Sequence, residues 1–211
     1  MTVNDHCVSA LAPAGRPDPD MHPRRIDHAA VQRAAGELLR AVDVDVDAEA
    51  FEETPRRVAD AYAELLTPQP FRATTFPNDD GYDELIVARA IPFHSLCMHH
   101  LLPFQGVAHV GYLPDERIIG LSKLGRLVEF FSRDLQIQER LTTQIAGWLE
   151  RELEPKGVGV VLEAEHLCMS LRGVQKLGAK TVTSALRGLV RDDARTRQEF
   201  LALTRRSFYE Q

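Results

Sequence analysis

Apolar residues recur at helical spacing in some stretches of this chain and at every second position in others, and the changes of period lay out its elements. Ala30, Ala34, Leu38 and Leu39 share one side of a helix predicted over 28–42, with Asp27 placed to cap it. Val58, Ala61, Tyr62 and Leu65 form the stripe of a second helix, for which Thr54 is the expected N-cap and Pro55 the first helical residue. Residues 67–81 hold Pro68, Pro70, Pro77 and an Asn78-Asp79-Asp80-Gly81 turn, and read as a loop. Strands are predicted over 85–94 and 104–113, the second with Phe104, Ala108, Val110 and Tyr112 on one face. A turn at Pro114-Asp115-Glu116-Arg117 leads into a short segment at 118–120. Two helices follow. Ser122 is a candidate cap for one striped by Leu124, Leu127, Val128 and Phe131, and the next carries Leu141, Ile145, Trp148 and Leu149. Residues 157–168 read as a long strand with Val158, Val160, Leu162, Ala164, His166 and Cys168 on one face. Another strand is predicted over 179–190, and a polar helix near 194–204.

The order is two helices, then strand–strand–helix–helix–strand–strand. This describes an α+β fold in which an antiparallel sheet is packed by helix pairs. So small a sheet leaves faces and edges uncovered, and oligomerisation is expected to extend it. Residues 1–25 carry Pro13, Pro17, Pro19 and Pro23 without an apolar period and read as a mobile N-terminal tail. Residues 26–211 are expected to form a single domain.

Composition narrows the function classes. An apolar fraction of 44% supports a real core, while a net charge of −6 gives no whole-chain attraction to nucleic acid or to an anionic membrane. An anionic substrate would have to be met by a local cluster of Arg and Lys. No apolar run approaches the ~20 residues of a membrane helix, and the first residues lack the basic start and apolar core of a signal peptide. Three cysteines at unlike spacings suggest no disulfide framework. A reducing cytoplasm fits, and would keep thiolate ligands intact.

The chemistry gathers in two places. Pro92-Phe93-His94-Ser95-Leu96-Cys97-Met98-His99-His100 holds a Cys-x-x-His, and Glu165-His166-Leu167-Cys168 repeats the ingredients far downstream. Thiolate and imidazole are ligands that Zn²⁺ prefers, and one tight turn brings Cys97 and His100 to one ion. With Cys168 they make three protein ligands and leave a fourth tetrahedral position for water, the arrangement of a catalytic site. A buried cysteine often serves only as a small hydrophobe. Here two of three cysteines lie in His-containing clusters, which favours the metal. Cys7, with only His6 beside it, is not read as a ligand. His99 is left for acid–base work. Arg56 and Arg57 stand in the first turn of a helix, against its dipole, either for a role that needs their charge or as a solvated pair.

The chain resembles the GTP cyclohydrolase I family. The resemblance is carried by Cys97-Met98-His99-His100-Leu101-Leu102-Pro103-Phe104, Ile119-Gly120-Leu121-Ser122-Lys123-Leu124, Gln136-Ile137-Gln138-Glu139-Arg140-Leu141-Thr142, His166-Leu167-Cys168-Met169-Ser170-Leu171-Arg172-Gly173, Thr181-Val182-Thr183-Ser184 and Glu53-Thr54-Pro55-Arg56-Arg57-Val58. It implies the tunnelling fold (T-fold), in which small sheets from several subunits join into a barrel. It also implies a toroidal homodecamer with active sites at subunit interfaces. The implied reaction is conversion of GTP to 7,8-dihydroneopterin triphosphate and formate. Hydroxide adds to C8, the imidazole ring opens, formate is released, and the ribose carbons rearrange and close onto the freed nitrogen.

The same resemblance distributes roles. Cys97, His100 and Cys168 hold zinc, and His99 and His166 move protons; His166 could alternatively serve only to orient a neighbour. Lys123, Arg126 and Arg172 meet the triphosphate, with Arg57 reaching in from a neighbouring subunit. Arg suits bidentate phosphate contact and Lys acts as a point charge. Arg126 also reads as an ordinary exposed helix residue. Glu139 accepts from the guanine N1–H and amino group, and Gln138 helps with the base. Ser122 lies beside the ribose and serves proton transfer during the sugar rearrangement, a role compatible with capping a helix. One position departs from the family's usual Cys-Glu-His-His: Met98 stands where the Glu would be. The metal ligands are untouched, but a carboxylate is lost. An alternative is therefore a specialised or partial cyclohydrolase serving a deazapurine or other secondary pathway. A zinc-stabilised assembly protein without chemistry is a third reading, which the joint presence of His99, His166, Ser122, Glu139 and Arg172 disfavours.

Overall fold

Alternation in the middle of the chain becomes one antiparallel sheet whose apolar face is covered by two helices. The structure, a computed structural model, describes residues 24–205. Its elements are α1 (His28–Ala41), α2 (Thr54–Leu66), β1 (Thr75–Pro77), β2 (Ile86–Cys97), β3 (Pro103–Leu113), β4 (Arg117–Ile119), α3 (Leu121–Ser132), β5 (Leu135–Gln136), α4 (Gln138–Leu153), β6 (Gly157–His166), α5 (Leu167–Ser170), β7 (Lys180–Gly188), α6 (Leu189–Asp192) and α7 (Ala194–Arg205). Five strands pair in the order β5-β2-β3-β6-β7, antiparallel except for the parallel β2–β5 contact at Leu96 and Cys97. The fold is thus mixed α+β. The expected tail over 1–25 and Cys7 lie outside the described residues, save that Arg24 reaches Asp134.

Phe104, Ala108, Val110 and Tyr112 on β3 and Val158, Val160, Leu162 and Ala164 on β6 are all essentially inaccessible to water. They meet the predicted stripes of α3 and α4, including Leu127, Phe131, Leu141, Ile145 and Leu149, in one core. Each such side chain contributes about 1.5–3 kcal/mol on burial. Tyr112 is fully buried, and its hydroxyl accepts the Ile119 N–H at 3.1 Å. That bond satisfies a backbone donor of β4 inside the core, and the same burial pushes the phenol pKa up. On the opposite sheet face, Gly111 and Gly159 are register partners. The fully buried ring of Phe200 from α7 lies over both, so close that a Cβ on Gly159 would stand 2.6 Å from it.

Several expectations are corrected. Thr75–Pro77, read as loop, is a strand paired with β4. Thr54 is inside α2 and Glu53 is its N-cap; Ser122 is inside α3 and Gly120 is its N-cap, with no side-chain capping bond at either helix. Neither hydroxyl takes up the N–H groups, because each helix begins one residue or more earlier than the cap reading required. Asp27 does cap α1, accepting from the Ala30 N–H at 2.9 Å. The buried positions of α1 are Ala35 and Gly36; of the stripe drawn from the sequence, Ala30 and Leu39 are half-buried while Ala34 and Leu38 are exposed.

Gly106 is pinned between β2 and β6. A Cβ there would meet the Glu163 carbonyl oxygen at 1.9 Å and the Ala164 Cα at 2.6 Å. Both are backbone atoms that no rotamer change can move. Gly106→Ala is expected to cost about 1–3 kcal/mol through overpacking. The check is the denaturant midpoint; an unchanged midpoint would mean that β3 and β6 can separate there freely.

Candidate metal centre and active site

The end of β2 folds straight back into β3, and this hairpin builds half of the site. The Cys97 N–H donates to Leu102 O at 2.9 Å, the His100 N–H to Cys97 O at 3.3 Å and the Leu101 N–H to Cys97 O at 2.8 Å. Leu101 takes φ +55°, a left-handed conformation that closes so short a turn. The turn carries His100 back over Cys97, whose sulfur lies 3.5 Å from His100 Nδ1. The Met98 N–H donates to Gln136 O at 3.0 Å, tying the hairpin to the strand just before α4.

The other half comes from β6. Phe104 and His166 are register partners, and their rings stack at 4.6 Å and 3°. The predicted strand continuing to Cys168 is wrong at its end. β6 stops at His166, and Leu167–Ser170 forms a single helical turn. Cys168 thus shares no strand face with His166. The turn instead swings its thiol toward the hairpin. Ligand atoms of Cys97, His100 and Cys168 all lie within 4.8 Å of one another. Burial, with the Cys97 sulfur beside it, pushes the Cys168 thiol up, and Arg172 draws it down. Two thiols and an imidazole are a donor set that fits a soft or borderline divalent cation. His99 falls outside this group. It is exposed, with Nδ1 4.0 Å from the Cys97 sulfur and its ring edge-on to His100.

Beside the cluster, His166 Nε2 is 2.7 Å from the Gln138 side-chain oxygen. Desolvation lowers the His166 pKa, with Glu139 opposing. His166, Gln138 and Glu139 are therefore brought together at the start of α4. Gln138 is only 1% exposed. Its amide nitrogen donates to Leu162 O, Thr181 O and Thr183 Oγ1 at 2.9–3.1 Å. Its amide nitrogen is thus committed inside the protein, and its carbonyl oxygen meets His166. Periodicity could not have revealed this, since the partners come from β6 and β7.

The remaining residues stand apart. Arg172 follows α5 and is exposed, near enough to Cys168 to perturb it. Ser122, Lys123 and Arg126 lie on the first two turns of α3, and Arg126 lines a small cleft with Gln69, Pro70 and Glu129. Arg57 is exposed on α2, while its neighbour Arg56 is paired with Glu53 and Asp60 at 2.6 Å each. No hydrogen bond or ion pair among the described residues joins Arg57, Ser122, Lys123 or Arg126 to the cysteine–histidine cluster of the same chain. None of Arg57, Lys123, Arg126 and Arg172 forms an ion pair among the described residues.

A family model for GTP cyclohydrolase I matches residues 31–205. The chain is 51% identical over 180 residues to the GTP cyclohydrolase 1 of Aquifex aeolicus, spanning 85% of this chain and 98% of that one. It is 48% identical over 194 residues to the enzyme of that name from Thermobifida fusca, spanning 90% and 94%. With the one from Streptomyces avermitilis it shares 53% identity over 184 residues, spanning 84% and 90%. A match so long and so close, over a chain that gathers the motif cysteines and histidine at one point, means that this protein belongs to the GTP cyclohydrolase I family.

Proposed function

We infer that the chain hydrolyses and rearranges GTP to 7,8-dihydroneopterin triphosphate and formate, the first step of folate and pterin synthesis. The observation that carries this reading is the convergence of Cys97, His100 and Cys168, flanked by His99 and His166, in a chain of this family. Cys97, His100 and Cys168 would hold Zn²⁺, which when bound would lower the pKa of a water from ~15.7 to ~7.

The chain's own residues do the rest. His99 and His166 flank the metal ligands and move protons to and from the purine nitrogens and the opened ring. Glu139, exposed at the first turn of α4, accepts from the guanine N1–H and amino group. Arg172, close to the metal cluster, takes the triphosphate with Lys123 and Arg126, while Arg57 comes from a neighbouring subunit. Their lack of carboxylate partners among the described residues leaves them available to phosphate. Ser122 is exposed at the start of α3; its role in this reading is proton transfer beside the ribose during the sugar rearrangement.

The residues that no hydrogen bond or ion pair joins to the cluster among the described residues support an assembly in which sites form between subunits. The sheet supports it too. Among the described residues the outer edge of β7 is unpaired, and β2 pairs outward only at Leu96 and Cys97. Leu121, Leu171, Val174, Leu177 and Val182 are each 60% or more exposed. Joining such edges into a T-fold barrel in a homodecamer would cover both strands and apolar side chains. Residues 26–211 act as one catalytic domain behind an N-terminal tail. No helix among the described residues is long and apolar enough to cross a membrane. A cytoplasmic enzyme, with thiols kept reduced, completes the reading.

Incubation with GTP, following pterin fluorescence and formate, is the test. Both products are expected. Formate without pterin would indicate a partial cyclohydrolase, the outcome that Met98 at the exposed turn leaves chemically reasonable. Arg172→Ala is expected to weaken GTP about ten-fold or more, at ~1.5–3 kcal/mol for a hydrogen bond to a charged group, and to leave guanosine unaffected. Equal losses for the two ligands would remove Arg172 from the phosphate site.

A further inference from the structure

We propose that Gln138 is a positioning residue that locks His166 in one tautomer, with the proton on Nε2 and the lone pair on Nδ1. The proposal rests on the reading that His166 moves protons during GTP turnover. Leu162 O and Thr181 O are backbone carbonyls and can only accept. They lie 3.1 and 2.9 Å from one end of the Gln138 amide, so that end must be the NH₂ group. Thr183 Oγ1, at 3.1 Å, accepts there as well. The other end is then the carbonyl oxygen, an acceptor, and it lies 2.7 Å from His166 Nε2. An imidazole nitrogen that faces an acceptor at that distance carries the hydrogen.

The clamp is itself held. Gln138 is buried, so it has no water to turn toward. Thr142 Oγ1 donates to Gln138 O at 2.7 Å and meets Thr183 Oγ1 at 2.6 Å, which ties the first turn of α4 to β7. The Phe104 ring lies flat on the imidazole and fixes its plane. Plane and tautomer are therefore set by two different neighbours, one on β3 and one on α4. His99 has neither support: it is exposed and reached by no buried amide. The two histidines are thus unequal. His166 offers a fixed acceptor at Nδ1, whereas His99 can present either nitrogen.

The test uses the full-length, metal-loaded protein with ¹⁵N-histidine labelling, read by solid-state NMR at a pH where the ring is neutral. His166 is assigned by its loss in His166→Gln. The wild type is expected to show His166 almost wholly as Nε2–H. A mixture or an Nδ1–H ring would overturn the proposal, and this outcome is independent of whether GTP is the substrate. Gln138→Leu keeps the side chain's bulk and removes the acceptor. It is expected to mix the tautomers and to lower kcat about 100-fold, as a small misplacement of a reacting group does, with KM changed less than about three-fold. Thr183→Val leaves both backbone carbonyls in place to orient the amide, and is expected to preserve the tautomer. An unaltered Nε2–H signal and kcat in folded Gln138→Leu would overturn the positioning role. If Gln138→Leu does not fold, the wild-type tautomer decides alone. Wild-type protein with the predicted tautomer but no activity on GTP would instead refute the proposed function and leave the clamp standing.

Discussion

Cys168→Ser is expected to release the metal and bring turnover to background, a loss beyond about 10⁴-fold, while the subunit stays folded. Cys168 sits on a one-turn helix and is only packed against the core, whose side chains come chiefly from β3, β6, α3 and α4. Removing one sulfur atom therefore opens little cavity. The consequence for the ion is large. Serine's hydroxyl does not ionise readily, and two ligands remain, of which His100 is exposed. Without an ion, burial and the neighbouring Cys97 already favour the protonated thiol at Cys168. Metal binding must reverse that preference, so affinity depends on each thiolate. Neutral-pH attack on C8 relies on lowering a water pKa by ~9 units, which ends when the metal leaves. The measurement is zinc content beside product formation. A variant that kept full zinc would remove Cys168 from the ligands.

His99→Ala and His100→Ala are expected to separate cleanly, although the residues are neighbours. His100→Ala should lose zinc and ring opening together. His99→Ala should keep zinc and the fold, bind GTP, and lose about 10²–10⁴-fold in turnover, the usual worth of general acid–base help. The reason is the hairpin. Its bonds from the N–H groups of residues 100 and 101 to the single carbonyl of Cys97 curl the chain so that His100 returns to the Cys97 sulfur. A ring one residue earlier is then turned nearly perpendicular to that of His100, at 80°, and stays outside the ligand group. If the second hydrolysis needs the proton more than the first, a ring-opened formamide should accumulate in His99→Ala. A zinc-free His99→Ala with a loaded His100→Ala would reverse the assignment.

Much of this was legible along the chain because it depends on local spacing. The stripes of α3 and α4 and the inward faces of β3 and β6 are period rules acting within one element, and the buried residues match them. Cys97 and His100 are joined by a turn of only a few residues, so their spacing already encodes their meeting. Helix starts were less legible. Thr54 and Ser122 are good capping residue types, but Glu53 and Gly120 occupy the caps, because the chain entering each helix is set by what it packs against. The α1 stripe failed for a related reason. In the single subunit its apolar side packs only in part: Ala30 and Leu39 are half-buried, and Leu38 and Val42 remain more than 60% exposed.

The sequence by itself determined which residue types could hold a cation and that two far-separated clusters supply them. It also determined that the acidic chain must meet an anion with a few local cations. Only the tertiary structure decided that Cys168 reaches Cys97 from a helical turn rather than a strand face. Stacking of the elements likewise brought Gln138 to His166 and to β6 and β7. The physical reason is range. Periodicity reports where a side chain points relative to its own backbone. A hydrogen bond between α4 and two strands 24 and 43 residues away depends on how the elements stack, which no local pattern carries.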